Sequence, residues 1–290
     1  MNPATLPSSC ARWTACVLLV LLSACARVPE PRLFPEPPND ITVRTDALLP
    51  ADVILLGEQH DAAEHQHIHQ HVVARLAVDG KLAALTLEMA DAGRSTAALK
   101  SNSTQLQVQQ ALDWNSKSWP WAAYGPAVMV AVKAGVPVLG ANLPAAQMRS
   151  AMADTQLDTR LPGPALKAQQ QAIRLGHCDL LPESQISPMT RIQVARDISM
   201  ARTIEQAALP GKAVVLLAGS GHVNRELGVP QHLPPGLTVK AVQLRAGPPP
   251  AASEARGDAG KPPAFDVIWS TPAVPETDHC AELKDRIKPS

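Results

Sequence analysis

Five polar residues stand just beyond runs of apolar side chains: Glu58, His60, Glu88, Asn142 and His222. Two of the runs share one pattern. Asp52-Val-Ile-Leu-Leu-Gly-Glu-Gln-His-Asp61 and Ala213-Val-Val-Leu-Leu-Ala-Gly-Ser-Gly-His222 both pass from branched apolar residues into Gly-x-x-His. Continuous apolar runs of this length read as buried strands. Two imidazoles and a carboxylate, here His60, His222 and Glu88, are a frequent ligand set for a divalent metal that keeps open positions, and Glu58 or Glu88 could then serve as a general base. A lone histidine at a strand end is commonly just a hydrogen-bonded cap. Two Gly-x-x-His turns with a strand-end glutamate between them are more specific.

These residues can meet only if the strands run side by side in one direction. Strands and helical stretches alternate along the chain, which predicts an α/β fold: a mostly parallel central sheet flanked by helices, with a helical insertion between the strands. In such sheets ligands collect beyond the carboxyl ends of the strands, so both Gly-x-x-His turns would face one rim. Leu82 to Glu88 and Val136 to Asn142 supply two further strand ends, and Leu237 to Arg245 and Ala264 to Ser270 two later strands. Asp61 is placed to cap a helix running to Asp79-Gly80. Its histidines, His65, His67, His69 and His71, divide into two i,i+4 pairs on different faces, so they cannot share one ligand. Most read as a solvated face. Helices are expected under a Ser103-Thr104 cap, over 126–133, 144–153 and 163–176, and from Met189 to Leu209, with a loop around Pro182 and Pro188.

Aromatic residues make up only 3% of the chain, yet Trp114, Trp119, Trp121 and Tyr124 crowd into one segment. Packing at a helix start would explain that, and so would a flat apolar ligand. If Pro120 starts the helix, Trp119, Trp121 and Tyr124 could line one mouth beside the rim.

The 290 residues are 46% apolar with a net charge of +0, enough for one large core and without the basic run that nucleic acid or acidic lipid would require. Residues 1–24 read as a signal peptide, because the apolar run Trp13 to Leu22 is shorter than the ~20 residues a spanning helix needs. Leu22-Ser-Ala-Cys25 resembles a bacterial lipobox, which makes Cys25 the lipid-bearing residue and outer-membrane lipid its partner. Residues 25–50, rich in proline, are expected to form an extended tether, 51–280 the folded domain with a low-complexity loop at 246–263, and 281–290 a tail. Cys178 and Cys280 then remain as a candidate disulfide, with a Cys₂His₂ zinc site through His177 and His279 as the lesser alternative.

Gly57 to Asp61, Leu87-Glu-Met89, Trp121 through Tyr124 to Pro126, Pro137 to Asn142, Arg196-Asp197 with Met200, and Gly219 to His222 resemble the ChaN haem-binding lipoproteins. The resemblance spans roughly residues 45 to 280 and extends to a wider group with the Tiki metalloproteases and erythromycin esterases. It implies a lipid-anchored protein of the Gram-negative outer membrane, facing the periplasm or the surface, that binds haem in iron uptake, with a haem or iron receptor and a second copy of itself as partners. It also implies iron held by a tyrosine, for which Tyr124 is the only tyrosine available, and a cofactor site including His60, His222, Trp121 and Asn142. One departure is visible: where related chains place arginine after Asn142, this one has Leu143-Pro-Ala145, with Arg149 further on. The alternative implied by the wider group is a metal-dependent hydrolase using the paired Gly-x-x-His turns.

Overall fold

The computed structural model describes residues 39–248, 263–275 and 278–287. Six strands, β1 (Val53–Glu58), β2 (Leu82–Asp91), β3 (Val138–Asn142), β4 (Ala213–Gly219), β5 (Val239–Ala246) and β6 (Val267–Thr271), form one sheet in the order β3-β2-β4-β1-β5-β6. Every neighbouring pair is parallel. The two Gly-x-x-His strands are the central pair, and every residue of both is buried, which is why their sequences lack the alternation of a half-exposed strand.

The helices are α1 (Asn39–Asp46), α2 (Ala63–Val78), α3 (Gln105–Leu112), α4 (Trp121–Lys133), α5 (Ala145–Ala153), α6 (Gly163–Gly176), α7 (Glu183–Ala207), the one-turn α8 (Ser220–Val223) and α9 (His279–Ile287). Pleating sends alternate strand residues to opposite layers. Ile54 and Leu56 pack in a cluster with Val72, Val73 and Leu76 of α2 and Val128 and Val132 of α4. Val53 and Leu55 pack with Met200, Ala201 and Ile204 of α7. Each such fully buried aliphatic contributes about 1.5–3 kcal/mol relative to exposure.

Register makes one rim of the two motifs. Gly57 lies opposite Ala218 and Glu58 opposite Gly219, so both turns leave the sheet at the same level. Gly57 is required by a close approach: a Cβ there would fall 2.3 Å from Val223 Cγ2 of α8.

Several expectations need correction. Residues 39–50, placed in an extended tether, include α1, whose Ile41 is buried, as is Leu48 after it, and whose Asp46 takes a two-pronged bond from Arg75. The apolar residues at 41 and 48 pull this stretch onto α2. The N-cap of α2 is Ala62, not Asp61, and no side chain caps it. Helix α4 starts directly after Pro120, where that proline was expected to start a helix, although its interior was expected only from Pro126, and α7 starts earlier than expected; they carry Pro126 and Pro188 at the sixth position of each. So near a helix start, proline removes one backbone bond without ending the helix. Thr104 caps α3 through a reciprocal capping box, as its position suggests.

Cys178 and Cys280 form a disulfide, 2.05 Å between sulfurs, that pins α9 to the turn between α6 and α7. The zinc alternative is excluded, since His177 bonds its own helix at Ile173 O and His279 faces Asp61 at 3.6 Å. The signal peptide, Cys25, the tether up to residue 38 and most of the low-complexity loop lie outside the described residues. Among the described residues no helix is long and apolar enough to cross a membrane.

Candidate functional site

The strand ends of β1, β2 and β4 bring Glu58, His60, Glu88 and His222 together in two linked carboxylate centres. At the first, Glu58 is buried at the end of β1. Its Oε1 accepts from His60 Nδ1 at 2.7 Å and from the Tyr124 hydroxyl at 2.6 Å, and its Oε2 accepts from Gln66 Nε2 at 3.1 Å. Burial pushes this carboxyl up, but the His60 bond, the facing His69 and the Tyr124 bond together hold it below its ordinary value. The same carboxylate acts on its partners. Burial and the Glu58 charge push the Tyr124 phenol well above its usual range. Burial pulls His60 down, but its bond to Glu58 and the nearby Glu88 leave it raised.

At the second centre, Glu88 is buried in β2, three residues before the strand ends at Asp91. Oε1 accepts from Arg196 Nη2 at 2.6 Å and lies 3.4 Å from His222 Nε2, and Oε2 accepts from the Gly219 amide at 2.7 Å. His222 Nδ1 donates to Asp197 at 2.5 Å. Burial would lower this imidazole, but flanking Glu88 and Asp197 push it up to about 9. Glu88 is held far below the usual carboxylate range: burial opposes ionisation, and His222 and Arg196 overcome it. For Asp197, burial wins over its partners and the carboxyl is raised. His60 Nε2, 4.0 Å from Glu88 Oε2, joins the two centres.

Asn142 belongs to the second centre, where its Oδ1 accepts from Arg196 Nε at 2.9 Å. The guanidinium at Asn142 thus comes from α7, and not from the residues just after Asn142 in sequence. The divalent-metal expectation for His60, Glu88 and His222 is overturned by the same arginine. The three do converge, but a guanidinium already neutralises Glu88 and would repel a second cation. Among the described residues no group of three or more His, Cys, Asp or Glu side chains is arranged to hold a metal ion.

The aromatic segment divides in a way its sequence does not show. Trp119 is at the rim, edge to face with His60 at 4.9 Å. Trp121 instead folds back on its own helix, against Gly125 and 5.0 Å from Trp114, with its Nε1 bonded to Gln105 of α3. Tyr124 is 2% exposed and lies beneath the rim. The three rings therefore do not line one mouth, and a phenol buried on Glu58 is not presented as an iron ligand.

Two histidines expected on a solvated face are also buried. His65 accepts from the Gln59 amide at 2.9 Å and bonds Thr271 Oγ1 at 3.0 Å, tying α2 to the end of β6. His69 has no hydrogen-bond partner on either ring nitrogen, lies 3.6 Å from Glu58, and is pushed down to about 4 by burial. Gln66, His69, Gln193, Arg196 and Asp197 complete the site without having been picked out as site residues. The spacing of Gln193, Arg196 and Asp197 at i, i+3 and i+4 beside the apolar stripe of α7 is the available signal.

A family model described as haem-binding uptake, Tiki superfamily, ChaN, matches residues 45–233. Among solved structures, ChaN of Campylobacter jejuni, reported with cofacial haem binding, is 26% identical with a TM-score of 0.60, over 72% of this chain and 87% of that one. The type III effector HopBA1 gives 17% identity and a TM-score of 0.46 over 85% of this chain and 100% of that one. An erythromycin esterase variant in its open conformation gives 15% and 0.43 over 71% and 72%. No curated protein matches the chain.

Proposed function

We propose that this chain, which belongs to the ChaN family of haem-binding uptake proteins in the Tiki superfamily, holds haem at the rim of its sheet with His60 as the iron donor. The observation that carries this reading is the state of His60. Its side chain is 43% exposed and its Nδ1 is engaged by Glu58, which leaves the Nε2 lone pair as the free donor. A carboxylate behind the imidazole fixes the tautomer and raises ligand basicity, the usual support for a metal-bound histidine. Gly219 leaves room beside Nε2, since a Cβ there would lie 3.0 Å from it. Trp119 supplies an apolar ring beside the donor.

When bound, haem would supply the iron; the chain's own part is to orient His60 through Glu58. The deciding experiment is a titration of the purified protein and of His60→Ala with ferric haem, followed by absorption. His60→Ala should weaken affinity by about tenfold or more, ~1.4 kcal/mol. Equal affinity and an equal spectrum would remove His60 from the role. The metal-dependent hydrolase would need a divalent ion beside Glu88, where Arg196 already sits.

The setting of that activity rests on sequence. The lipobox at Cys25 and the proline-rich residues after it support a lipid-anchored protein at the outer membrane, in haem or iron uptake, delivering to or receiving from an outer-membrane receptor. Cys25→Ala should move the protein from the membrane to the soluble fraction. Assembly into a dimer on haem addition would appear as a doubled mass in solution.

A further inference from the structure

A groove apart from the two carboxylate centres follows the face of α7 opposite Asp197, beside α5 and the 3-10 helix Thr155–Thr159. Its volume is about 1110 Å³. Leu143, Ala151 and Ala195, a small apolar cluster outside the main core, form its floor. At one end Arg160 and Arg202 line both this groove and an adjoining cavity of about 390 Å³, which His232 also lines. Arg174, Arg191, Arg196 and Arg225 each hold a carboxylate. The guanidinium groups of Arg160 and Arg202, by contrast, have no hydrogen-bond or ion-pair partner among the described residues.

The same end contains a buried nitrogen with no partner, His232 Nε2. Buried polar atoms without partners are few in folded proteins, and each calls for a ligand, a water or a role. Burial and the nearby Arg160 keep this ring neutral, its pKa pushed down to about 4, so one ring nitrogen carries a proton to donate. Glu205 is the acid that lines this end, against two guanidiniums. Asp154, further along, is occupied as the cap of the 3-10 helix, accepting from the Gln156 amide at 3.0 Å.

We propose that the groove binds an elongated amphipathic anion, its apolar body on Leu143, Ala151 and Ala195 and its carboxylate or phosphate head between Arg160, Arg202 and His232. Guanidinium forks match the oxygens of either head, and the volume suits a ligand of lipid-fragment or small-metabolite size. No His, Tyr, Cys or Met lines the larger cavity, so it offers no iron donor and is distinct from the haem site.

The test is calorimetric titration of the purified protein with decanoate, decyl phosphate, decanol and decyltrimethylammonium, each as monomers in solution. Decanoate or decyl phosphate should bind, and the neutral and cationic chains should bind at least about tenfold more weakly. Both arginines are exposed, so Arg160→Ala and Arg202→Glu should melt like the parent while losing about tenfold or more in affinity for the anion that binds. The proposal is overturned if neither anion binds, if decanol binds as tightly as the anions, or if both variants bind as the parent does.

Discussion

The Tyr124 hydroxyl and Glu58 Oε1 are joined by a 2.6 Å hydrogen bond between residues 66 apart in sequence. That bond fastens the start of α4 to the end of β1 and supports, from below, the carboxylate that orients His60. Tyr124→Phe deletes it. A hydrogen bond to a charged acceptor contributes about 1.5–3 kcal/mol, so urea unfolding should show a loss of that size. Haem affinity and spectrum should stay near the parent's, because the proposal makes His60 the donor. A lost or shifted spectrum would restore Tyr124 as the ligand.

Acid should weaken the fold through His69. Its folded pKa of about 4 lies below the ordinary 6.5, so the unfolded chain takes up the proton first. The contribution is intact above pH ~6.5 and drains as pH falls toward ~4, on the order of 3 kcal/mol in all. His69→Leu fills a similar volume without a titrating group. Stability measured from pH 7 to 4 should fall less steeply in the variant, and identical slopes would show that another group drives the loss.

Alkali should act through His222, with the opposite sign. Its folded pKa of about 9 lies above 6.5, so its contribution is complete below pH ~6.5 and disappears as pH rises through ~9. Asp197→Asn removes one of the two flanking charges and should move the decline to lower pH. Direct observation of the imidazole proton resonances would check the assignment: an unshifted His222 titration in Asp197→Asn would contradict it.

Cys280→Ser opens a covalent loop with a sequence separation of 102 residues. In the chain-entropy picture that costs about 4–5 kcal/mol. The comparison to make is denaturant unfolding of the parent, the variant and the reduced parent. The last two should agree, and a variant as stable as the oxidised parent would mean that the unfolded chain gains little freedom when the bridge opens.

Much of the architecture is legible in the sequence. Buried parallel strands advertise themselves as unbroken apolar runs, so β1 and β4 and the turn that closes each were legible, and parallel topology then required Glu58, His60, Glu88 and His222 to share a rim. Helices α5 and α6 were located to within a residue or so, because local spacing and punctuation govern where a helix starts and stops. Family membership was likewise carried by short motifs at those strand ends.

What the sequence did not decide is which way each side chain points and which distant group meets it. Trp119 and Trp121 are two residues apart, yet one reaches His60 and the other turns back onto Gly125. His65 and His69 share a helix face whose burial depends on where β6 and Glu58 lie. Arg196 fills the position that the residue types alone would give to a metal, because α7 brings its guanidinium within 2.9 Å of both Glu88 and Asn142. Periodicity and strand order follow from backbone geometry within a few residues. The chemistry of the rim, by contrast, follows from packing between segments distant in sequence, where a rotamer or a helix crossing selects the partner, as with Tyr124 and Glu58 at a separation of 66 and Arg196 and Glu88 at 108.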